Sequence, residues 1–148
     1  MPFIIRRLVE EDVNEVYELG LEREEFTTES GSFWSPVQLK AWSESKSDVV
    51  LVAEDEGKII GFSLYAQHIP TGKVTWENLY VLPEYRKSGA GSALIERGME
   101  ELGDLRCKYV MCCVNANDQT HFAEYLKKFG FKIYGSVLWV DKVINDGV

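Results

Sequence analysis

EYRKSGAG, residues 84–91, sets Gly89 and Gly91 behind Arg86 and Lys87. An apolar run, ENLYVLP (77–83), precedes it. SALIERGMEEL (92–102) follows, with Leu94, Ile95, Met99 and Leu102 at helical spacing. The stretch therefore reads as a turn between a strand and a helix. The first turn of a helix leaves about four N–H groups without intrahelical partners. They carry about half a positive charge through the helix dipole. Gly89 and Gly91 keep side chains away from those donors, and Arg86 and Lys87 bring full positive charge to the mouth. Such a cradle suits a phosphate or pyrophosphate. The dipole contributes about 0.3–1 kcal/mol, and charge-assisted bonds from Arg86 add to it. On the glycines alone, a plain strand-to-helix turn reads equally well. The Walker signature is excluded, since no GK[ST] tripeptide occurs, and the dinucleotide fingerprint fails because Leu94 stands where its third glycine belongs.

Outward from this turn the chain is a string of short elements. FIIRRL (3–8) reads as a strand and EEDVNEVYELG (10–20) as a helix stopped by Gly20. Ser35, Pro36 and Gln38 form a helix start with a capping box. VVLVAE (49–54) and KIIGFSLYAQ (58–67) flank Asp55–Gly57 as a hairpin, and KVTWENLYVL (73–82) is a third strand of that run. KYVMCCV (108–114) is a further strand. QTHFAEYLKKF (119–129) is a helix with a cap at Asn117 or Asp118 and a stop at Gly130. KIYGS (132–136) and VLWVDKVI (137–144) close the chain as strands. Strands in a run, then strands alternating with helices, predict a mixed α/β or α+β layer fold with helices over a central sheet.

With 148 residues the chain is expected to form a single domain, 1–148. A net charge of −8 argues against a general nucleic-acid binder, which needs a basic face. No apolar run approaches ~20 residues, so no membrane span is expected. MPFIIRRLVEED is charged too early for a signal peptide, and a cytoplasmic protein is expected. Cys107, Cys112 and Cys113 form no CxxC, and His68 and His121 stand alone, so no metal site is expected.

RKSGAG, preceded by NLYVLPEYR and followed by a helix ending KKFGF, resembles the GNAT superfamily of N-acetyltransferases. The resemblance covers nearly the whole chain. It implies a central mixed, mostly antiparallel sheet with helices on both faces and a splayed strand pair around the cofactor. It implies acetyl-CoA as co-substrate, with Arg86, Lys87, Ser88, Gly89, Ala90 and Gly91 around the pyrophosphate. Backbone groups of Leu79, Tyr80 and Val81 would meet the pantetheine arm, and the Leu79 N–H the thioester carbonyl. Losing one such oxyanion donor typically costs about 2.7–4 kcal/mol of barrier. Asn115 and Asn117 hold the place of a CoA-contacting asparagine, although Asn117 also reads as a helix cap.

The implied reaction is attack of a primary amine on the thioester, which needs a base and an acid. Glu77 is the expected base; strand alternation places it on the face of Leu79. Family members carry the acid tyrosine four residues before the glycine of the closing GF. That slot is Leu126, and Tyr125 precedes it on the apolar stripe. Tyr125 is thus either the acid or a core residue. The departure leaves a second function open, a CoA-binding sensor or regulatory module without turnover. Residues 21–42 fall where the family builds its acceptor wall. Glu22, Glu24, Glu25 and Glu29 there accompany Phe26, Phe33, Trp34 and Trp42. Carboxylates and aromatic faces suit a cationic amine, though an acidic helix face with core aromatics reads as well. A homodimer through the last strands is also compatible with the family.

Overall fold

Val49–Ala53 is buried at every position, as expected of a strand inside a sheet covered on both faces. A computed structural model of the chain describes residues 3–21, 33–114, 120–135, 138, 140, 142, 144 and 145. Two compact units emerge, Met1–Cys112 and Cys113–Val148. The first holds a five-stranded sheet in the order β1 (Phe3–Arg7), β2 (Val49–Asp55), β3 (Lys58–His68), β4 (Lys73–Val81) and β5 (Tyr109–Met111). The first three pairings are antiparallel and β4–β5 is parallel. This is the expected mixed, mostly antiparallel sheet. Glu56 and Gly57, both at positive φ, turn the β2–β3 hairpin.

The helices of this unit are α1 (Val13–Leu21), α2 (Pro36–Glu44) and α3 (Ala90–Asp104). A 3₁₀ turn, Glu10–Asp12, leads into α1. The predicted capping box of α2 is present: Ser35 Oγ accepts from Gln38 N–H at 3.2 Å, and Gln38 Oε1 accepts from Ser35 N–H at 2.8 Å. Gly20 lies inside α1 rather than beyond it, and a Cβ there would fall 2.2 Å from the Phe33 ring. Phe33 in turn meets Phe62 of β3, centroids 5.6 Å apart. On the opposite face, α3 brings Gly98 against Tyr65, where a Cβ would sit 2.5 Å from the ring. Phe62 and Tyr65 are three apart along one strand, so they face opposite ways. Helices therefore cover both faces.

An ionic cluster ties the N-terminal strand down. Arg6 holds Asp12 through Nη1 and Nη2 at 2.7 and 2.8 Å, and Glu54 through Nε and Nη2 at 3.0 and 2.8 Å. Burial disfavours the Asp12 carboxylate. The Arg6 hydrogen bond, the Val9 N–H and the Arg6 charge nonetheless hold its pKa below the usual carboxylate value.

The second unit contains α4 (Thr120–Leu126), continued by a 3₁₀ turn over Lys127–Phe129 and closed by Gly130 at φ 87°. The helix is thus shorter than its periodicity suggests, and its expected cap at Asn117 or Asp118 lies outside the described residues. KYVMCCV keeps ladder pairing only over Tyr109–Met111. The closing strands are also corrected. Residues 132–135, 138, 140, 142 and 144 have no regular structure, and the remainder of both segments lies outside the described residues. Alternating apolar residues make a strand only where a neighbour takes up the backbone groups. Ile133, Tyr134, Leu138, Val140 and Ile144 are instead exposed.

Candidate active site

β4 organises the site. Its ladder with β5 ends at Thr75 and Met111, so beyond Thr75 its outer edge has no β5 partner. Against β3 the register runs Tyr65↔Trp76 and then Leu64↔Asn78. Glu77 is therefore the extra residue of a β-bulge. The bulge overturns the simple alternation expected for Glu77. Trp76 and Leu79 keep to the face of α3, opposite Tyr65 and Ser63; there the Trp76 indole donates to Ser63 Oγ at 2.9 Å. Asn78 and Tyr80 lie on the other face, opposite Leu64 and Phe62. Glu77 joins them: it lines a cleft of about 360 Å³ together with Trp34, Gln38, Ala41, Trp42 and Asp48.

The strand edge sorts the three expected backbone contacts. Leu82 N–H donates to Ile60 C=O at 2.8 Å. Antiparallel pairs alternate between bonded and non-bonded. Tyr80 and Asn78 therefore direct their backbone groups to β3, while Leu79 and Val81 direct theirs to the open edge. The Val81 C=O is taken by Arg86 Nε at 2.9 Å. Tyr80 thus turns its backbone groups to β3 and not to the open edge, and its ring has the Arg86 guanidinium 5.7 Å from its centroid.

The glycine turn follows. Pro83–Tyr85 is a single 3₁₀ turn, anchored where Tyr85 Oη donates to Asp55 Oδ2 at 2.8 Å. Lys87 has φ 67° and Gly89 has φ 95°, and α3 starts at Ala90 with Gly89 as its cap residue. Left-handed residues interleaved with others turn successive N–H groups into one concavity, an anion-binding nest. Arg86 N–H donates to Pro83 C=O, Ser88 N–H to Tyr85 C=O, and Ala90 N–H to Ser88 Oγ. Among the described residues no hydrogen bond uses the N–H of Lys87, Gly89 or Gly91. A Cβ at Gly89 would meet nothing within 4 Å, so the turn is open around that position. Arg86 and Lys87 are exposed beside it. Donors, charge and room all fit a diphosphate.

The cleft has a different character. Trp34 and Trp42 meet edge to face, centroids 5.3 Å apart. Trp34 Nε1–H donates to Asn78 Oδ1 at 2.7 Å. Glu77 is half-buried, and burial raises its pKa above the ordinary carboxylate value. A carboxylate poised closer to neutrality is a better general base at physiological pH. Tyr125 lies in the second unit, with Phe122 and Phe129 rings at 6.3 and 5.4 Å and the Lys128 ammonium over its own ring at 5.2 Å. Leu126 beside it is buried. Asn115, Asn117, Glu22, Glu24, Glu25, Phe26 and Glu29 lie outside the described residues. Sequence reasoning missed Gln38 as a wall residue, and it missed Asp48 and the Trp34–Asn78 bond. Asp48 had no local signal, because only the sheet register brings it to the cleft.

A sequence profile described as "Acetyltransferase (GNAT) family" matches residues 13–131, which run through both units. The chain belongs to this family, and it is an acetyl-CoA-dependent acetyltransferase. No curated protein is significantly similar to it in sequence. Among solved structures it resembles the ribosomal-protein-S18-alanine N-acetyltransferase of Escherichia coli, at 21% identity and TM-score 0.71, covering 90% of this chain and 79% of that one. It also resembles an aminoglycoside acetyltransferase from an uncultured soil metagenomic sample, at 17% and 0.72, covering 97% of each chain. A third is the PaiA N-acetyltransferase of Thermoplasma acidophilum, solved with coenzyme A, at 21% and 0.69, covering 86% and 89%. At these identities the likeness is one of fold. Among the described residues no helix is long and apolar enough to cross a membrane.

Proposed function

We propose that the protein transfers the acetyl group of acetyl-CoA to a primary amine by direct attack, with the amine entering through the Trp34–Trp42 cleft. The observation that carries this reading is the bulge at Glu77. It turns a half-buried carboxylate of raised pKa into the cleft, two residues from an N–H at the open edge of β4. The N–H groups of Lys87, Gly89 and Gly91, with the free nitrogens of Arg86, hold the diphosphate. The pantetheine arm then runs along β4 against Leu79 and Val81. Glu77, directly or through a water, takes a proton from the amine. The nitrogen attacks the thioester carbon, and the oxyanion that forms is met by the Leu79 N–H. Collapse breaks the C–S bond, and the thiolate leaves as a thiol after protonation. In the family's slot for the acid that supplies this proton stands Leu126, with Tyr125 one residue before it.

The test is acetyl-CoA with a panel of amines, following thiol release with a chromogenic reagent. Release that depends on an amine and falls in Glu77→Gln is expected. Thermal stabilisation by CoA with no release on any amine would favour a CoA-binding module without turnover.

A further inference from the structure

Asp48 lines the same cleft as Glu77 but is no part of the acyl-transfer machinery described above. Its Oδ1 is fixed by the Gln67 N–H at 2.7 Å. Arg7, a neighbouring cation, forms no ion pair with it. The Arg7 guanidinium is bound instead to three backbone carbonyls, those of Trp42, Ser45 and Asp48 itself. Neither Asp48 nor Glu77 enters an ion pair with any described residue. The cleft thus presents two carboxylates that form no ion pair among the described residues, beside two indoles that meet edge to face. A partly desolvated carboxylate without a counter-ion is costly, and cations gain from both the charge and the aromatic faces. At about 360 Å³ the cleft has room for a compact cation.

We propose that Asp48 is the specificity-determining residue for the acceptor. It binds a second, non-reacting ammonium, so that the preferred substrate is a small aliphatic diamine or polyamine held between Glu77 and Asp48. This rests on the acetyl-transfer reading above. The amine near Glu77 loses its proton and becomes the amide. The amine at Asp48 stays protonated throughout, and no bond to it changes.

The experiment compares putrescine with n-butylamine, which lacks the second ammonium, in the intact chain and in Asp48→Asn. Asparagine keeps the oxygen that accepts from Gln67, so the fold is retained, and the parent chain alone already compares the two amines. The parent is expected to prefer putrescine in kcat/KM. Asp48→Asn should raise the putrescine KM at least about tenfold, the loss expected of a charge-assisted bond, with kcat less affected. The KM for n-butylamine should not move. Equal KM for both amines in the parent, or an equal effect of the variant on both, overturns the proposal. Calorimetry on the CoA-loaded chain separates this from the reading it rests on. Putrescine binding that needs Asp48, without thiol release, upholds the role of Asp48 and overturns acetyl transfer to the amine. Thiol release with both amines, indifferent to Asp48→Asn, overturns the role of Asp48 alone.

Discussion

Trp34 donates its indole N–H to the side chain of Asn78, 2.7 Å away, and so ties the entrance of α2 to the residue that follows the bulge. One hydrogen bond therefore joins the aromatic wall of the cleft to the strand that carries the base. Trp34→Phe keeps a ring in the wall and removes the bond. It should lower kcat/KM for amines by up to about tenfold, the worth of one part-buried hydrogen bond, while CoA affinity stays the same. Parallel steady-state kinetics and CoA calorimetry check both halves.

Glu77→Gln should separate activity from stability. As a base, Glu77 contributes about 10²–10⁴ in rate. The loss should shrink as pH approaches the amine's own pKa of about 10. Stability runs the other way. Burial raises the folded-state pKa of Glu77, so its stabilising contribution is present below the unfolded carboxylate pKa and is lost as pH rises through the raised value. Glu77→Gln should therefore melt higher than the parent at neutral pH and equal to it in acid. Melting curves across pH, alongside a pH–rate profile, test both.

Arg86→Ala should weaken CoA more than pantetheine analogues that lack the diphosphate. Its Nε bond to Val81 C=O also positions β4, so a smaller loss is expected with both ligands. Gly89→Ala places a side chain at φ 95° and at the mouth of the nest. It should destabilise the turn by about 1 kcal/mol and weaken CoA further. Titration calorimetry with both ligands reads out the difference.

Arg6→Ala should cost about 3 kcal/mol, the low end for a broken ion pair, since Asp12 is nearly buried and Arg6 is 30% exposed. The Asp12 pKa is lowered in the folded chain, so its contribution is present above about pH 4 and is lost as pH falls through the lowered value. The variant should show a flatter acid limb. Urea unfolding at neutral and acid pH measures it, and no CoA-binding change beyond the lost stability is expected.

What the sequence disclosed follows from which interactions are local. The α2 capping box, the β2–β3 hairpin and the glycine turn each lie within a few residues of their partners, and all three were readable. Position in the bulge was not, because a bulge is a relation between Glu77 and the Leu64–Tyr65 step on another strand. Strict alternation assigned Glu77 to the face of Leu79, and one inserted residue moved it to the cleft. Asp48 was invisible for the same reason, since only the sheet register brings it to the cleft. The apolar pattern from Ile133 onward promised strands, but alternation records what a residue would bury and not whether a neighbour is there to pair with it.

The central claim concerns backbone groups that only proline removes, at the cost of also fixing φ, so it is tested on the amides themselves. In an NMR titration with coenzyme A, the signals of Lys87, Gly89 and Gly91 should shift together and saturably, with Leu79 and Val81 following. Saturating coenzyme that leaves those five amides in place, while the protein remains folded, would contradict the account.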